Sequence, residues 1–117
     1  MYYKVINMAN QKDLENALKY IELMNNLKFN EASKIDLSHA DLSYANLSFK
    51  DLSYTDLSYA NLSHANLSND NLYFADLSNA DLSHADLSYT DLSGANLSGA
   101  DLTGATILIG DMIRIIK

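Results

Sequence analysis

The sequence predicts an all-β solenoid, and three observations support this prediction. Leucine recurs at every fifth position between residues 35 and 109, in fifteen units of which the last has isoleucine instead. The residue two places before it is alanine in ten of the fifteen units. The residue directly before it is Asp or Asn in fourteen of them. Self-similarity at a short fixed period is typical of architectures in which each repeat packs only against its neighbours.

A period of five residues fits neither a regular helix nor a continuous strand. On an α-helix, five residues turn through about 500°, so the leucines would drift around the surface. On a strand, an odd spacing would send alternate leucines to opposite faces. A chain that turns after each five-residue side brings every leucine inside, with the alanine as a second inward site. We expect the other three residues to face water, since Asp, Asn and Ser readily bond to nearby backbone in turns.

The tandem Ala-(Asp/Asn)-Leu-X-X units resemble the pentapeptide-repeat family, and the resemblance covers about two thirds of the chain. It implies a right-handed quadrilateral parallel β-helix with four units per coil. Fifteen units then make about four coils.

Lys50 and Asp70 provide an independent check on the length of the coil. They are the two charged residues at the small inward position and are twenty residues apart, and Thr90 follows at the same interval. With four units per coil they stack in one column, about 4.8 Å apart. A lone buried lysine is costly, whereas a paired one costs much less. We therefore predict a buried or half-buried structural ion pair between Lys50 and Asp70.

Residues 1–29 are predicted to form an N-terminal segment with a capping helix. For residues 2–6 both a short strand and a loose arm are open. Asn10 suits a helix N-cap, and the apolar residues from Leu14 onward have helical spacing, which places the helix near residues 11–26. Because the end coil of a solenoid exposes leucines and unpaired backbone groups, we expect this helix to cover that end. The alternative is a separate helix that binds a partner.

The repeat domain is predicted to span residues 30–109, followed by a C-terminal cap or dimerisation tail at residues 110–117. The chain is strongly apolar from Ile107 onward, which predicts either a second cap or an interface. Related members of the family dimerise through their C-terminal ends, so the resemblance implies a homodimer. The candidate interface residues are Leu108, Ile109, Met112, Ile113, Ile115 and Ile116.

The variable fifth residue of each unit forms four external columns when read at intervals of twenty. Aromatic residues at this spacing are expected to stack, and His64 and His84 lie one coil apart. Glycine occupies this position in the last coil, at Gly94, Gly99 and Gly104. There it predicts a change to a turn type that tolerates positive φ.

The predicted rod is acidic, which bears on its partners. Residues 35–109 contain ten Asp and one Lys, a net charge of −9, whereas residues 1–34 and 110–117 each carry +1, giving −7 in total. Direct binding to nucleic acid is disfavoured because phosphates would be repelled, and a basic protein partner is favoured. No apolar run approaches the roughly 20 residues that span a bilayer. No signal-peptide core is evident at the N-terminus, so we expect a cytoplasmic protein without membrane association.

No catalytic constellation, cofactor motif or metal-ligand set is evident. The aspartates recur on all sides of the rod, and no serine has a His–Asp partner set by spacing. The sequence therefore predicts a non-enzymatic structural or protein-interaction solenoid with an acidic surface and no cofactor. The alternative is implied by the resemblance: some quinolone-resistance members are similar in shape to B-DNA and bind type II topoisomerases such as gyrase. The shortness of the rod and its uninterrupted repeats argue against this alternative.

Overall fold

A computed structural model describes residues 2–4 and 34–108 of the chain. Strand β1 spans Tyr2–Lys4 and strand β2 spans Lys34–Asp36. The two strands pair in parallel, with Tyr3 opposite Ile35. Of the two options for the first residues, the structure therefore has the strand, and this strand lies along the edge where the repeat begins.

The repeat domain is a parallel β-helix. Parallel bridges join each Asp or Asn to the residue twenty positions further on, beginning with Asp36 and Asp56. The column that starts there continues through Asp76 to Asn96 and so passes four levels. This register confirms the twenty-residue coil that the spacing of Lys50 and Asp70 predicts.

Most of the five-residue sides make the same set of backbone hydrogen bonds. On the first side, the Leu37 N–H donates to the Asp56 carbonyl at 2.7 Å, and the Asp56 N–H donates to the Ile35 carbonyl at 3.0 Å. The Ala40 N–H donates to the Leu37 carbonyl at 3.1 Å and closes a turn. The His39 N–H also donates to the Ser58 carbonyl at 2.9 Å. Three bonds thus join adjacent coils and one turns the chain, which pairs backbone groups that would be costly to bury alone.

Every corner of the coil uses a residue with positive φ. Eleven of these residues are not glycine and have φ between 54° and 62°, and the three glycines have φ of 71° or 72°. Positive φ at the third residue of a four-residue turn is the signature of a type II turn. The prediction that Gly94, Gly99 and Gly104 mark a change of turn type is therefore wrong, because the same turn recurs at all fourteen described corners.

Leucine side chains fill the centre of the rod. Each repeat leucine from Leu37 to Leu87 is 0% exposed, and the alanines beside them are buried as well. Leu97, Leu102 and Ile107 are only partly buried, because they belong to the last described coil. The core is therefore sealed along most of its length and more open at that end.

Two predicted features lie outside the described residues: the capping helix near residues 11–26 and the tail at residues 110–117. Within residues 2–4 and 34–108, no helix is long and apolar enough to cross a membrane.

Candidate interaction surface

The twenty-residue register divides the outer surface into four sides, numbered here in chain order. Side 1 begins with residues 35–39, side 2 with 40–44, side 3 with 45–49 and side 4 with 50–54. Residues twenty positions apart form a column on one side, and the fifth residue of each unit stands at a corner.

Serine holds the outward Asp and Asn side chains in place. The Asp81 Oδ1 atom accepts hydrogen bonds from the Ser83 N–H at 2.9 Å and from its hydroxyl at 2.6 Å. Asn61 and Ser63 form the same two bonds, at 3.0 and 2.7 Å. These are the local bonds to backbone expected of Asx turns. The outward carboxylates are consequently presented in defined positions, and Asn can replace Asp without loss of the bonds.

Acidity is unevenly divided among the four sides. Sides 1 and 2 are adjacent and carry six outward aspartates, which we call the acidic face: Asp36, Asp41, Asp56, Asp76, Asp81 and Asp101. Sides 3 and 4 carry only three outward aspartates: Asp51, Asp86 and Asp91. Aspartate does recur on all four sides, as predicted, but two thirds of the outward carboxylates lie on one half of the rod.

Ring stacking at the corners confirms the predicted external columns. Tyr44 and His64 stack with ring centres 4.6 Å apart, and His64 and His84 follow at 4.9 Å. His39 and Tyr59 stack at 5.0 Å on the neighbouring corner.

A compact aromatic cluster lies at the corner after side 4. Tyr54 and Phe74 stack at 5.7 Å, and Tyr73 meets both rings edge-on at 5.8 and 4.5 Å. Tyr73 occupies the position that is serine in most units, so this cluster is a local departure from the repeat.

The structure brings Lys50 and Asp70 together through the backbone. The Lys50 N–H donates to the Asp70 Oδ1 atom at 2.7 Å, whereas the equivalent N–H of Ala45 bonds to the Leu42 carbonyl. Asp70 is 2% exposed, and its Oδ2 atom has no hydrogen-bond partner among the described residues. The ion pair between the two side chains stays a prediction, because the observed contact joins a carboxyl group and a peptide N–H.

Burial dominates the protonation of Asp70. Loss of solvation raises the pKa of its carboxyl group from 3.8 to about 8, although the Lys50 backbone hydrogen bond and the Lys50 charge both act to lower it. The carboxyl group is therefore mainly neutral at pH 7. Thr90, the next residue in this column, is also buried and donates its hydroxyl to the Leu67 carbonyl at 2.7 Å.

The remaining candidate residues lie at the C-terminal end. Leu108 is 38% exposed. The other five candidate interface residues lie outside the part of the chain that the structure describes: Ile109, Met112, Ile113, Ile115 and Ile116. In the described segments, no group of three or more His, Cys, Asp or Glu side chains is placed to hold a metal ion.

The geometry is that of a repeat solenoid with short, identical sides and regular polar columns. Pentapeptide repeats match the chain in eight copies, over residues 26–69 and 71–107. The chain belongs to the pentapeptide-repeat family, and its fold is the right-handed β-helix of that family.

The chain is similar to several proteins of known structure. It is 41% identical to a pentapeptide repeat protein from Nostoc PCC 7120, over 79% of this chain and 74% of that one, with a TM-score of 0.44. It is 35% identical to Rfr23 from the cyanobacterium Cyanothece 51142, with a TM-score of 0.43. That match covers 65% of this chain and 58%, less than two thirds, of the length of Rfr23.

A more distant similarity is to QnrB1, a plasmid-mediated fluoroquinolone resistance protein. The identity is 19% over 62% of each chain, with a TM-score of 0.23. No curated protein matches the chain at a significant level. These comparisons define the family and leave the function to be inferred from the surface.

Proposed function

We propose that the chain is a non-enzymatic protein-interaction solenoid whose acidic face docks on a basic surface of a partner protein. The observation that carries this proposal is the concentration of six outward aspartates on two adjacent sides. Fixed charges of one sign steer and orient a partner of the opposite sign. Because hydrogen bonds from the serine or threonine two positions further on already hold these carboxylates, little side-chain freedom is lost on binding.

Affinity capture from a lysate of the native host tests this proposal. The double variant Asp41→Asn and Asp81→Asn removes two charges from side 2 and keeps the serine bonds. A compensated variant adds Asn46→Asp and Asn66→Asp. It has the net charge of the unmodified chain, but two of its negative charges lie on side 3 instead of side 2. We expect both variants to lose the partner that the unmodified chain captures, and binding of that partner should weaken as salt rises. Recovery of binding in the compensated variant would show that net charge alone matters and would contradict docking through the acidic face.

We further propose that the repeat domain, residues 30–109, forms about four coils closed at the N-terminal end by the helix near residues 11–26. The pairing of β1 with β2 supports this proposal, because it brings the N-terminal segment to the edge of the first coil. Residues at that end, such as Leu37 and Leu42, are fully buried.

The partly open C-terminal end favours a homodimer. Leu97, Leu102 and Ile107 are partly buried in the last described coil, and Leu108 is exposed. Exposed apolar surface of this kind is typically covered by an interface. Analytical ultracentrifugation should give twice the mass of the 13.0 kDa chain. The mass of a single chain at micromolar concentration would rule out the homodimer.

The second candidate function is mimicry of DNA towards a type II topoisomerase such as gyrase. The net charge of −9 over residues 35–109 and its concentration on the acidic face favour this candidate. If it is correct, micromolar protein should alter gyrase supercoiling, and the Asp41→Asn and Asp81→Asn variant should do so less. An unchanged supercoiling reaction would eliminate this candidate.

A further inference from the structure

Two exposed aromatic rings on one corner differ from all other aromatic corner residues. Phe49 is 78% exposed and Tyr89 is 70% exposed, and both belong to the column between sides 3 and 4. Neither ring contacts another ring within the described part of the chain. The other seven aromatic or histidine residues at the described corners all stack on a neighbour in their columns: His39, Tyr44, Tyr54, Tyr59, His64, Phe74 and His84.

Phe49 and Tyr89 do not stack on each other because of the residue that lies between them in the column. Asn69 stands at the middle level of this column and interrupts it with a short polar side chain. All three residues have nearly the same φ, between 59° and 62°, so they occupy equivalent positions on successive coils. Adjacent strands lie about 4.8 Å apart, which separates the levels of Phe49 and Tyr89 by roughly 10 Å. We call the space between these two levels, with Asn69 at its base, the corner gap.

The corner gap has the dimensions for a flat cation. A group midway between the two levels lies roughly 5 Å from each ring, within the roughly 6 Å over which a cation is attracted to an aromatic face. In the other columns, adjacent stacked rings are inclined by only 1° to 13°. A planar group in the corner gap would therefore continue the nearly parallel stacking that Asn69 interrupts in this column.

The charges beside the corner gap are negative on balance: Asp51 and Asp91 flank it, and Lys50, directly after Phe49, is the one positive charge among the described residues there. Asp51 and Asp91 lie on side 4 at the levels of Phe49 and Tyr89, and neutral Asn71 bridges to both of them. Asp51 is exposed, and its Oδ1 atom is held by the Ser53 N–H at 3.1 Å and hydroxyl at 2.6 Å. Each of the two levels that border the gap thus has an exposed ring and, two residues further along the chain, an aspartate.

We propose that the corner gap binds the guanidinium group of an arginine presented by the partner protein. Guanidinium is planar and weakly hydrated, stacks on aromatic faces and pairs with carboxylates in a fixed fork, whereas the ammonium group of lysine is compact and strongly hydrated. This inference rests on the proposed interaction function and narrows the partner to one with an arginine-bearing segment. The corner gap lies on the other half of the rod from the acidic face, so the arginine-bearing segment of the partner must extend around the rod from the acidic face.

A substitution that fills the gap tests the inference without removing a ring or a charge. Asn69→Tyr would complete the column. The fifth position of the unit accepts tyrosine, because Tyr44 and Tyr59 occupy it in other units with the same positive φ. Asn79→Tyr is the matched control, because Asn79 follows His39 and Tyr59 in the column on the corner between sides 1 and 2. It adds the same ring at the same unit position but leaves the corner gap open.

The probes are two peptides of the same length, one with three arginines separated by glycines and one with three lysines. Binding is followed by ¹⁵N chemical shifts of the full-length protein. We expect the arginine peptide to bind about fivefold more tightly than the lysine peptide and to shift the amides of Phe49, Asn69 and Tyr89. Asn69→Tyr should abolish this preference, and Asn79→Tyr should retain it.

Equal affinity for the two peptides, or an arginine preference that survives Asn69→Tyr, would overturn the inference. So would the absence of any peptide binding. The proposed interaction function is decided separately by capture with the Asp41→Asn and Asp81→Asn variant, in which the corner gap and sides 3 and 4 are unchanged. Urea unfolding of both tyrosine variants verifies that each is folded. We expect neither to be destabilised, because the added ring completes a stack in Asn69→Tyr and extends one in Asn79→Tyr.

Discussion

Asp70 is the inward aspartate of the repeat, and its surroundings show how a buried polar residue is accommodated. Its Oδ1 atom accepts a hydrogen bond from the Lys50 N–H, which would otherwise close the turn at that corner. Its Oδ2 atom has no partner in the described segments. Ionisation would therefore leave a poorly solvated charge in the core. Protonation avoids that cost, which is the physical reason that burial raises the pKa to about 8.

The stability of the fold should therefore fall as the pH rises. The folded-state pKa of about 8 lies above the ordinary value of 3.8, so the folded protein retains a proton that the unfolded chain loses. The contribution of Asp70 is fully present below pH 4 and is lost as the pH rises through 8. Between pH 5 and 9 we expect the free energy of unfolding to decrease by on the order of 4 kcal/mol, measured by urea denaturation. Asp70→Asn should remove most of this dependence.

One further variant serves as a control for this experiment, and a second tests the predicted ion pair. Thr103 holds the pKa of the exposed Asp101 below its usual range, so Asp101→Asn should leave the decrease between pH 5 and 9 intact. Lys50→Met tests the predicted ion pair, because loss of a nearby positive charge should raise the pKa of Asp70 further. The same pH dependence in Asp70→Asn and the unmodified chain would contradict the assignment to Asp70.

The corner turns show how side chains compensate for an unfavourable backbone. Positive φ costs a residue with a side chain about 1–2 kcal/mol. Eleven such residues adopt it at the described corners. Ring stacking returns roughly 0.5–1.5 kcal/mol per pair, which offsets much of the cost where rings stand at successive levels. The columns of aromatic residues therefore stabilise the turns as well as cover the surface.

The corner glycines serve a packing purpose. A Cβ atom on Gly104 would lie 2.6 Å from the His84 Nδ1 atom, and one on Gly99 would lie 2.5 Å from the Asn79 Oδ1 atom. The side chains of one coil thus fold over the glycines of the next. Positive φ is common to all the described corners, so close approach is what distinguishes the glycine positions.

Substitution by glycine should separate stacked from unstacked corners. Phe49→Gly relieves the cost of positive φ and removes no ring contact within residues 2–4 and 34–108. His64→Gly relieves the same cost but removes two stacks, with Tyr44 and with His84. We expect Phe49→Gly to be more stable than His64→Gly by roughly 1–2 kcal/mol in urea unfolding. Equal stabilities would show that stacking contributes little at these corners.

The rod as a unit is a stack of nearly equivalent coils, so its stability should depend on position along the axis. Each coil contacts only its neighbours, and an end coil lacks one of them. Leu62 is 0% exposed, whereas Leu102 is only partly buried in the last described coil. Surface properties differ around the axis as well, with the acidic face on one half and the corner gap on the other.

Truncation of leucine tests the dependence on position. Leu62→Ala should lower the free energy of unfolding by about 3 kcal/mol, because the cavity is enclosed by coils on both sides. Leu102→Ala should cost roughly half as much, since less apolar surface is lost from the core. Both losses are to be measured by urea unfolding at pH 6, where Asp70 remains protonated. A larger loss for Leu102→Ala would indicate that a further layer covers the last coil.

Much of this architecture can be derived from the amino-acid pattern alone. The inward leucines, the outward Asp, Asn and Ser and the external columns are each specified by their position within a five-residue unit. The charged pair at positions 50 and 70 also identifies the coil length correctly. This is possible because contacts in a solenoid join residues at one constant separation, so a local pattern determines the long-range pairing.

Other features required the three-dimensional structure. Asp70 contacts a peptide N–H of Lys50, a partner that side-chain identities do not reveal. Positive φ at His39 or Tyr44 runs against the intrinsic preference of those residues and is imposed by coil closure and stacking. The break between Phe49 and Tyr89 is visible in the sequence as Asn69, but its character as a gap between two rings depends on how successive coils stack. Local pattern determines which residues share a column, and packing between coils determines which atoms of those residues meet.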